Sequence, residues 1–499
     1  MTLRSFMRAV LLSLLAGCCW GGLLPKVAPG AGPAQGPSVP VTLSIMTYSE
    51  EQVGFFQAAA AAFAEAYPGV RLEFITMPKG KYETALPLLL ESGQGPDVFY
   101  WKYDINPVLT MAELLRRDAI RPLCPTQDAP RAWMQRWPPG AFMNGINLAG
   151  GRVYSFPYND NQMWGLGYMF INRGVFRTAG LDPDRPPQTW HELRSTCAYI
   201  KETTGTYCLA VPFDPPAELH RLWMPIAGSI MTDLFFDYQK GRFAIDDPRL
   251  VQAFEFIRHL YAEGLIIPRK ASKAFARQAF ATGQAAIYFG GAWMPSVFEQ
   301  MGFKDLDLGV APPPYPEDGP RGALSRRNTE NKFWVSRRTA HPDIAWRFIE
   351  WMTRPSGFWA REYLQRGFGT LAFAGEDAWP AQPLLRQIFT ISRKLRVQYP
   401  EPITVNFALS RSQAFLAAVE YRPDWEWEAM LEALFERKDF QAMAREIAAA
   451  RNRIFFDRLA QEKAHGLPVS SADYAFPGWR FDSDFVLAPE PNPTAPLAR

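Results

Sequence analysis

Between Val41 and Asp97 the spacing of apolar positions changes repeatedly, and each change marks an element. Val41-Thr42-Leu43-Ser44-Ile45-Met46-Thr47-Tyr48 alternates and predicts a strand, and Ser49-Glu50-Glu51 follows it with residues that suit a helix N-terminus. Val53, Phe56, Ala60, Phe63 and Tyr67 then recur at helical spacing until Pro68-Gly69 stops them. Val70, Leu72 and Phe74 alternate with Arg71 and Glu73, which restores the strand period. Further on, Gly93 and Gly95-Pro96 end another helix, and Val98-Phe99-Tyr100 forms a buried strand that ends at Trp101. Strand, helix, strand in this order favours a parallel sheet with helices on its faces, an α/β architecture.

The chain has 499 residues, of which 48% are hydrophobic and 14% aromatic, enough for a large core divided among two or three domains. A formal charge of +3 without a concentrated basic tract argues against nucleic acid as a partner. At the amino terminus Arg4 and Arg8 precede the apolar run Ala9 to Gly17, the pattern of a secretory signal over residues 1–17. The uncharged stretch to Leu24 is broken by Gly17, Gly21 and Gly22 and falls short of the roughly 18 to 20 apolar residues a bilayer span needs, so an exported protein is expected. Residues from Gly21 to Pro40, rich in Gly, Pro and Ala, read as a flexible tether. Beyond Cys18 and Cys19 the cysteines are Cys124, Cys197 and Cys208. In an oxidising compartment Cys197 and Cys208 have two readings, a small disulfide loop or two buried thiols.

Candidate chemistry begins where the third strand ends. In open α/β sheets ligands sit outside the carboxyl ends of strands, which is where Trp101, Tyr103 and Asp104 fall. An aromatic ring suits the C–H face of a pyranose and a carboxylate suits its hydroxyl rim; a core Trp beside a loop-capping Asp is the alternative reading. Tyr48, Glu50 and Glu51 lie at the end of the first strand, as a polar wall or, for Glu51 especially, as a helix cap. The five histidines, at 191, 220, 259, 341 and 465, form no metal-spaced pair, and neither a nucleophile elbow nor a Walker loop is present. No catalytic residue, metal or cofactor is therefore expected. A secreted glycoside hydrolase stays open as an alternative, because its paired carboxylates have no fixed spacing.

Blocks in sequential order carry a family resemblance. Ala62-Phe63-Ala64-Glu65-Ala66-Tyr67-Pro68-Gly69-Val70 and the turn from Ser92 to Asp97 come first. Phe156-Pro157-Tyr158, Tyr168 to Arg173, Ala179-Gly180-Leu181 and Pro187 to Leu193 follow, with His191 where the pattern usually has Asp. Ala279 to Trp293, Lys332 to Ser336 and Ala345 to Met352 complete the set. Together they resemble the extracellular solute-binding proteins of family 1, which include the maltose-binding protein.

The resemblance implies a two-lobed periplasmic-binding-protein-like fold of type II, with the ligand between lobes joined by crossings near Tyr154 to Tyr158 and Lys332 to Val335. Lobe one would take 41–153 with a return segment of about 334–375; lobe two would take 154–333 with part of about 376–464; 465–499 would form an irregular tail. The implied activity is the substrate-binding subunit of an ATP-driven importer. It would be a monomer that captures a sugar by hinge closure and docks on ABC permease transmembrane subunits. Leu15-Ala16-Gly17-Cys18 resembles a bacterial lipobox, so Cys18 would carry the lipid that anchors the protein to a membrane, facing periplasm or exterior.

Carried over residue by residue, Trp101 and Trp293 would stack on sugar from opposite lobes and Asp104 would accept hydroxyl hydrogen bonds. Asn159, Asp160 and Asn161, just beyond the first crossing, suit hydroxyl recognition or turn formation equally. Trp223 matches an aromatic contact of lobe two, with core packing as the alternative. Arg326 and Arg327 strain a neutral-sugar reading, since Arg forks match carboxylate and phosphate. A uronate, sugar phosphate or glycerophosphodiester is therefore a second ligand class, beside a solvated loop. A lipoprotein that senses or scaffolds rather than delivers is a third functional class.

Overall fold

The computed structural model describes residues 40–101, 110–126, 130–159, 167–228, 235–267, 271–317, 325–326 and 333–485. Cys18, Tyr103, Asp104, Asp160, Asn161 and Arg327 lie outside the described residues, and of Arg326 only the backbone is described.

In chain order the principal strands are β1 (Val41–Thr47), β2 (Val70–Thr76), β3 (Val98–Tyr100), β4 (Ile120–Arg121), β5 (Tyr168–Asn172), β6 (Tyr207–Leu209), β7 (Ala285–Gly290), β8 (Leu308–Ala311) and β9 (Phe333–Ser336). They form two sheets, ordered β2-β1-β3-β9-β4 and β8-β5-β7-β6. The strand, helix, strand pattern of the sequence appears as parallel β1, β2 and β3, with α1 (Val53–Ala66) and α2 (Lys79–Ser92) as their connections. What the local pattern could not supply is β9, which arrives from far along the chain and enters the first sheet antiparallel between β3 and β4. The protein is thus a two-lobed α/β structure, each lobe centred on one sheet.

The turn before β3 holds this arrangement in register. Asp97 Oδ2 accepts from the backbone N and the hydroxyl of Ser44 on β1, at 2.9 and 2.8 Å. Its Oδ1 accepts from Thr339 Oγ1, just beyond β9, at 2.5 Å. One carboxylate therefore ties the first, third and last strands of the lobe, and charge-assisted bonds of this kind are stronger than neutral ones.

The chain passes between the lobes side by side. Ser155 Oγ donates to Phe333 O at 2.7 Å, joining the first two crossings. After α3 (Trp190–Thr204), α4 (His220–Ala227), α5 (Met294–Gln300) and α6 (Pro342–Met352), a third passage, which the expected division near residue 375 also requires, follows α7 (Phe358–Gln365) and leads to α8 (Pro383–Leu395). On one side Trp359 of α7 packs its ring on Phe55 of α1, with centroids 4.6 Å apart. On the other, Gln387 Nε2 of α8 donates to Val310 O of β8 at 2.9 Å. The return from lobe one is therefore a laced crossing and not a loose loop.

After α8 the chain builds a second, smaller hydrophobic cluster from α9 (Ala414–Glu420), α11 (Phe440–Ala464), the hairpin at Phe236–Phe243 and the segment after α11. Between them α10 (Trp425–Glu436) packs against lobe two through Phe435, whose ring lies 5.4 Å from Phe213 and 5.3 Å from Tyr261. Residues 465–485 wrap this cluster: Val469, Tyr474 and Trp479 are buried, and Trp479 O accepts from Gln239 Nε2 at 2.7 Å. Pro-rich composition did not prevent order here, because aromatic side chains supply the burial that composition alone conceals.

Candidate functional site

The polar wall at the end of β1 is built by a change of backbone direction. Thr47 and Ser49 are buried, and a short 3-10 turn at Glu50–Gln52 leads into α1 with both carboxylates in its first turn. Tyr48 stands edge-on to Tyr82 and Tyr100, with centroids 5.7 and 5.2 Å away. Glu50 and Glu51 are exposed. Glu51 is nonetheless surrounded closely enough by protein that desolvation raises its carboxyl pKa, opposed by a backbone hydrogen bond and assisted by the neighbouring Glu50 charge.

This wall meets the crossings at Tyr363, on α7. The phenol donates to Phe368 O at 3.2 Å, and its ring stands 5.8 Å from Phe55 of α1 and 5.4 Å from Tyr158 of the first crossing. Burial pushes its pKa up to about 12, against the opposing effect of the nearby Asn159 amide, while the Glu51 charge adds to the rise. Asn159 Nδ2 also donates to Thr370 O at 2.6 Å, and Ala372 N donates to Tyr158 O at 2.9 Å. Between these bonds Gly369 adopts φ +130°, a conformation open to glycine and not to residues with a Cβ.

In the other lobe Trp293 stands three residues past the end of β7. A Cβ on Gly291 would lie 2.0 Å from Trp293 Cη2, so the indole rests on bare glycine backbone and only glycine allows that seat. Trp293 is half-buried. It also caps α5, whose Ser296 Cβ lies 3.8 Å from the position a Cβ would take on Gly367 of the third crossing. The Trp293 helix and the crossing are therefore neighbours.

The remaining expected residues divide. Trp101 is 1% exposed; its ring is tilted on Tyr82 at 6.4 Å and its carbonyl accepts from Trp334 Nε1 at 2.9 Å. Through Tyr82 it adjoins Tyr48, but it presents no free ring face. Trp223 is 2% exposed and packs on Phe235 at 5.8 Å, within lobe two. Asn159 is buried, with its amide committed to the crossings. The backbone at Ser325–Arg326 pairs in parallel with Arg396–Val397, which places that segment beside the chain leaving α8. Cys197 of α3 and Cys208 of β6 are joined by a disulfide, and Cys124 is a buried free thiol.

Tyr363 and Gly369 were missed by sequence reasoning. Tyr363 looks like any helical core aromatic. The one visible signal was the run Gly367-Phe368-Gly369, two glycines directly after a helix. Among the described residues no group of His, Cys, Asp and Glu could hold a metal ion, and no helix is long and apolar enough to cross a membrane.

Comparison with known proteins adds a family and a fold. Residues 48–357 match the profile described as bacterial extracellular solute-binding protein. A maltotriose-binding protein of Pyrococcus abyssi is 26% identical over 309 residues, 60% of this chain and 59% of that protein, so the match spans about three-fifths of the relative's length. The GacH receptor of Streptomyces glaucescens, solved unliganded and with acarbose, superposes with a TM-score of 0.60 at 19% identity, over 84% of this chain and 99% of that one. The sugar-binding protein MalE of Xanthomonas citri does so with a TM-score of 0.60 at 18% identity, over 85% and 100%. At these identities the two structures show likeness of fold alone.

Proposed function

The chain belongs to the bacterial extracellular solute-binding proteins, a family whose description implies export, and from that premise we propose that it captures a carbohydrate between its lobes for an ATP-driven importer. The carrying observation is the pairing of surfaces around the crossings: Trp293 laid on Gly291 in one lobe, and the Tyr48, Glu50 and Glu51 wall in the other. An aromatic face with convergent acceptors suits a ligand with apolar faces and a hydroxyl rim. The relatives described as binding maltotriose and sugar support the same class. Binding would bias an open–closed equilibrium, and the closed form would dock on permease subunits in the membrane without any bond being made or broken. Cys18 would carry the lipid that tethers the body near that permease. Asp104, Asp160 and Asn161 remain candidates for the hydroxyl rim, and Trp101 would contribute by backing Tyr48 through Tyr82.

The test is a thermal-shift screen of the purified protein against neutral oligosaccharides, polyols, uronates and sugar phosphates, followed by calorimetry. A ligand that binds only the native state raises its melting temperature by mass action. A neutral oligosaccharide that stabilises without being cleaved supports the proposal. An anionic hit transfers the reading to Arg326 and Arg327; turnover of the sugar, or no shift by any member, overturns it.

A further inference from the structure

Helix α2 delivers one buried phenol to the place where the strands of lobe one part. Pairing between β1 and β3 stops at Met46 and Phe99, two residues short of Tyr48 and of Trp101. Just there the Tyr82 hydroxyl donates to Met46 O at 3.2 Å and to Tyr100 O, so a single group from α2 joins the carboxyl ends of both strands. The start of α2 is set beside them, because Met77 N donates to Thr47 O at 3.2 Å. The buried Tyr82 ring lies 5.7 Å from that of Tyr48 and 6.4 Å from that of Trp101, and Tyr48 in turn stands edge-on to Tyr100 at 5.2 Å. Phenylalanine would keep these ring contacts and lose both bonds. The hydroxyl is therefore what ties the helix to the strand ends.

We infer that Tyr82 is a positioning residue for solute binding: its hydroxyl fixes the spacing at which β1 and β3 end, and so presents Tyr48, backed by Trp101, to the solute as a preformed wall. Ligands of open α/β sheets sit at these carboxyl ends, where the ladder no longer holds the strands together. A wall ordered before binding loses less affinity to ordering when the solute arrives. The inference rests on the carbohydrate reading, in which Tyr48 meets the solute, but the bonds from Tyr82 to the strand ends belong to the ligand-free protein.

The experiment compares the full chain with Tyr82→Phe, which keeps the ring and loses the two bonds, and with Tyr82→4-aminophenylalanine, which keeps a donor in the para position. With maltotriose as the probe in calorimetry, Tyr82→Phe should weaken binding about tenfold, and the 4-aminophenylalanine variant should stay within about twofold of wild type. In a Tyr48→Ala background Tyr82→Phe should weaken binding no further, since its effect runs through Tyr48. A phenol that only stabilised the fold would lower the melting temperature and leave affinity unchanged, or lower affinity equally in both backgrounds; either result overturns the inference, as does a 4-aminophenylalanine variant no better than Tyr82→Phe. Without ligand, 3-fluorotyrosine in place of Tyr48 should give one sharp fluorine resonance in the otherwise unaltered chain and a broadened or doubled one with Tyr82→Phe, and the same resonance in both overturns it. If the wild-type chain does not bind maltotriose, the saccharide reading loses that support, while the fluorine resonance still decides whether Tyr82 sets the wall.

Discussion

The two hydrophobic clusters of this protein are held by opposite means. The large one, which runs through both lobes, is built from strands such as β3, β5 and β7 in which every residue is buried, and its interior is almost wholly apolar. The small one, beneath α9 and α11, is fastened by charge. Arg451 of α11 is 1% exposed and all its donors are engaged: Nε and Nη2 form a fork with Glu426 at 2.7 and 2.8 Å, and the remaining bonds go to the carbonyls of Ala418, Val419 and Arg422. At the other end of α9, Glu462 accepts from Gln413 N at 2.8 Å and Ser412 Oγ at 2.6 Å. α11 thus places an anion at the start of α9 and a cation at its end, the signs that complement the helix dipole. A sheet core tolerates no such groups, because strands have already satisfied their backbone; a short helix leaves donors and acceptors at both ends, and these two side chains supply their partners.

The sharpest way to break the contrast is to remove one half of the buried pair. Arg451→Ala should destabilise the protein by about 3–5 kcal/mol in denaturant unfolding, because it strands Glu426 without a partner, whereas replacing both residues by Met and Leu should restore part of the loss, the carbonyls of Ala418, Val419 and Arg422 still lacking the guanidinium. If the double replacement were as damaging as the single one, the cluster would depend on the charges themselves. The matching break in the large core is Trp101→Ala, expected to cost about 3–5 kcal/mol by leaving a cavity. There no second substitution of charge could rescue it, and Trp101→Phe should recover part of the stability.

The large core also contains a test of its own rule. His220, at the start of α4, is buried, and desolvation with help from the Arg221 charge depresses its pKa to about 4, against the opposing bond to Ala217 O. The unfolded chain therefore takes up a proton that the folded protein refuses between about pH 6.5 and about 4. Its contribution is intact above pH 6.5 and is lost as the pH falls through that window, up to about 3 kcal/mol. In His220→Gln the acid slope of stability, measured by urea titrations at several pH values, should be shallower by that amount. An equal slope in both proteins would mean that His220 is protonated in the fold.

The smallest effect expected is on binding and not on stability. Trp293→Ala removes a half-buried ring whose seat is glycine backbone, so the melting temperature should move little while affinity for the stabilising sugar falls about tenfold to a hundredfold. Unchanged affinity in calorimetry would take Trp293 out of the site.

What could be read along the chain, and what could not, follows the same division. β1, α1, β2 and β3 were legible because each buries one face or all of itself, and burial writes a period into the residues. The order of strands within the sheet was not legible, since β9 joins β3 across more than 200 residues and nothing in Phe333–Ser336 by itself names its neighbours. Trp101 and Trp293 were singled out on equal terms by type and position, yet one is enclosed and the other rests half-open on Gly291, a difference made by whatever the tertiary fold brings against each ring.

By itself the sequence determined the α/β class, the elements of the first lobe and the aromatic and acidic residue types that suit a carbohydrate, because short-range burial and turn chemistry are written locally. Only the tertiary structure decided the bond from the buried Tyr363 phenol to Phe368 O and the interior positions of Arg451 and Glu462. Each of these is a polar group whose partners lie in other segments, and the sequence pattern of a polar residue is the same whether it faces water or a partner brought there by folding.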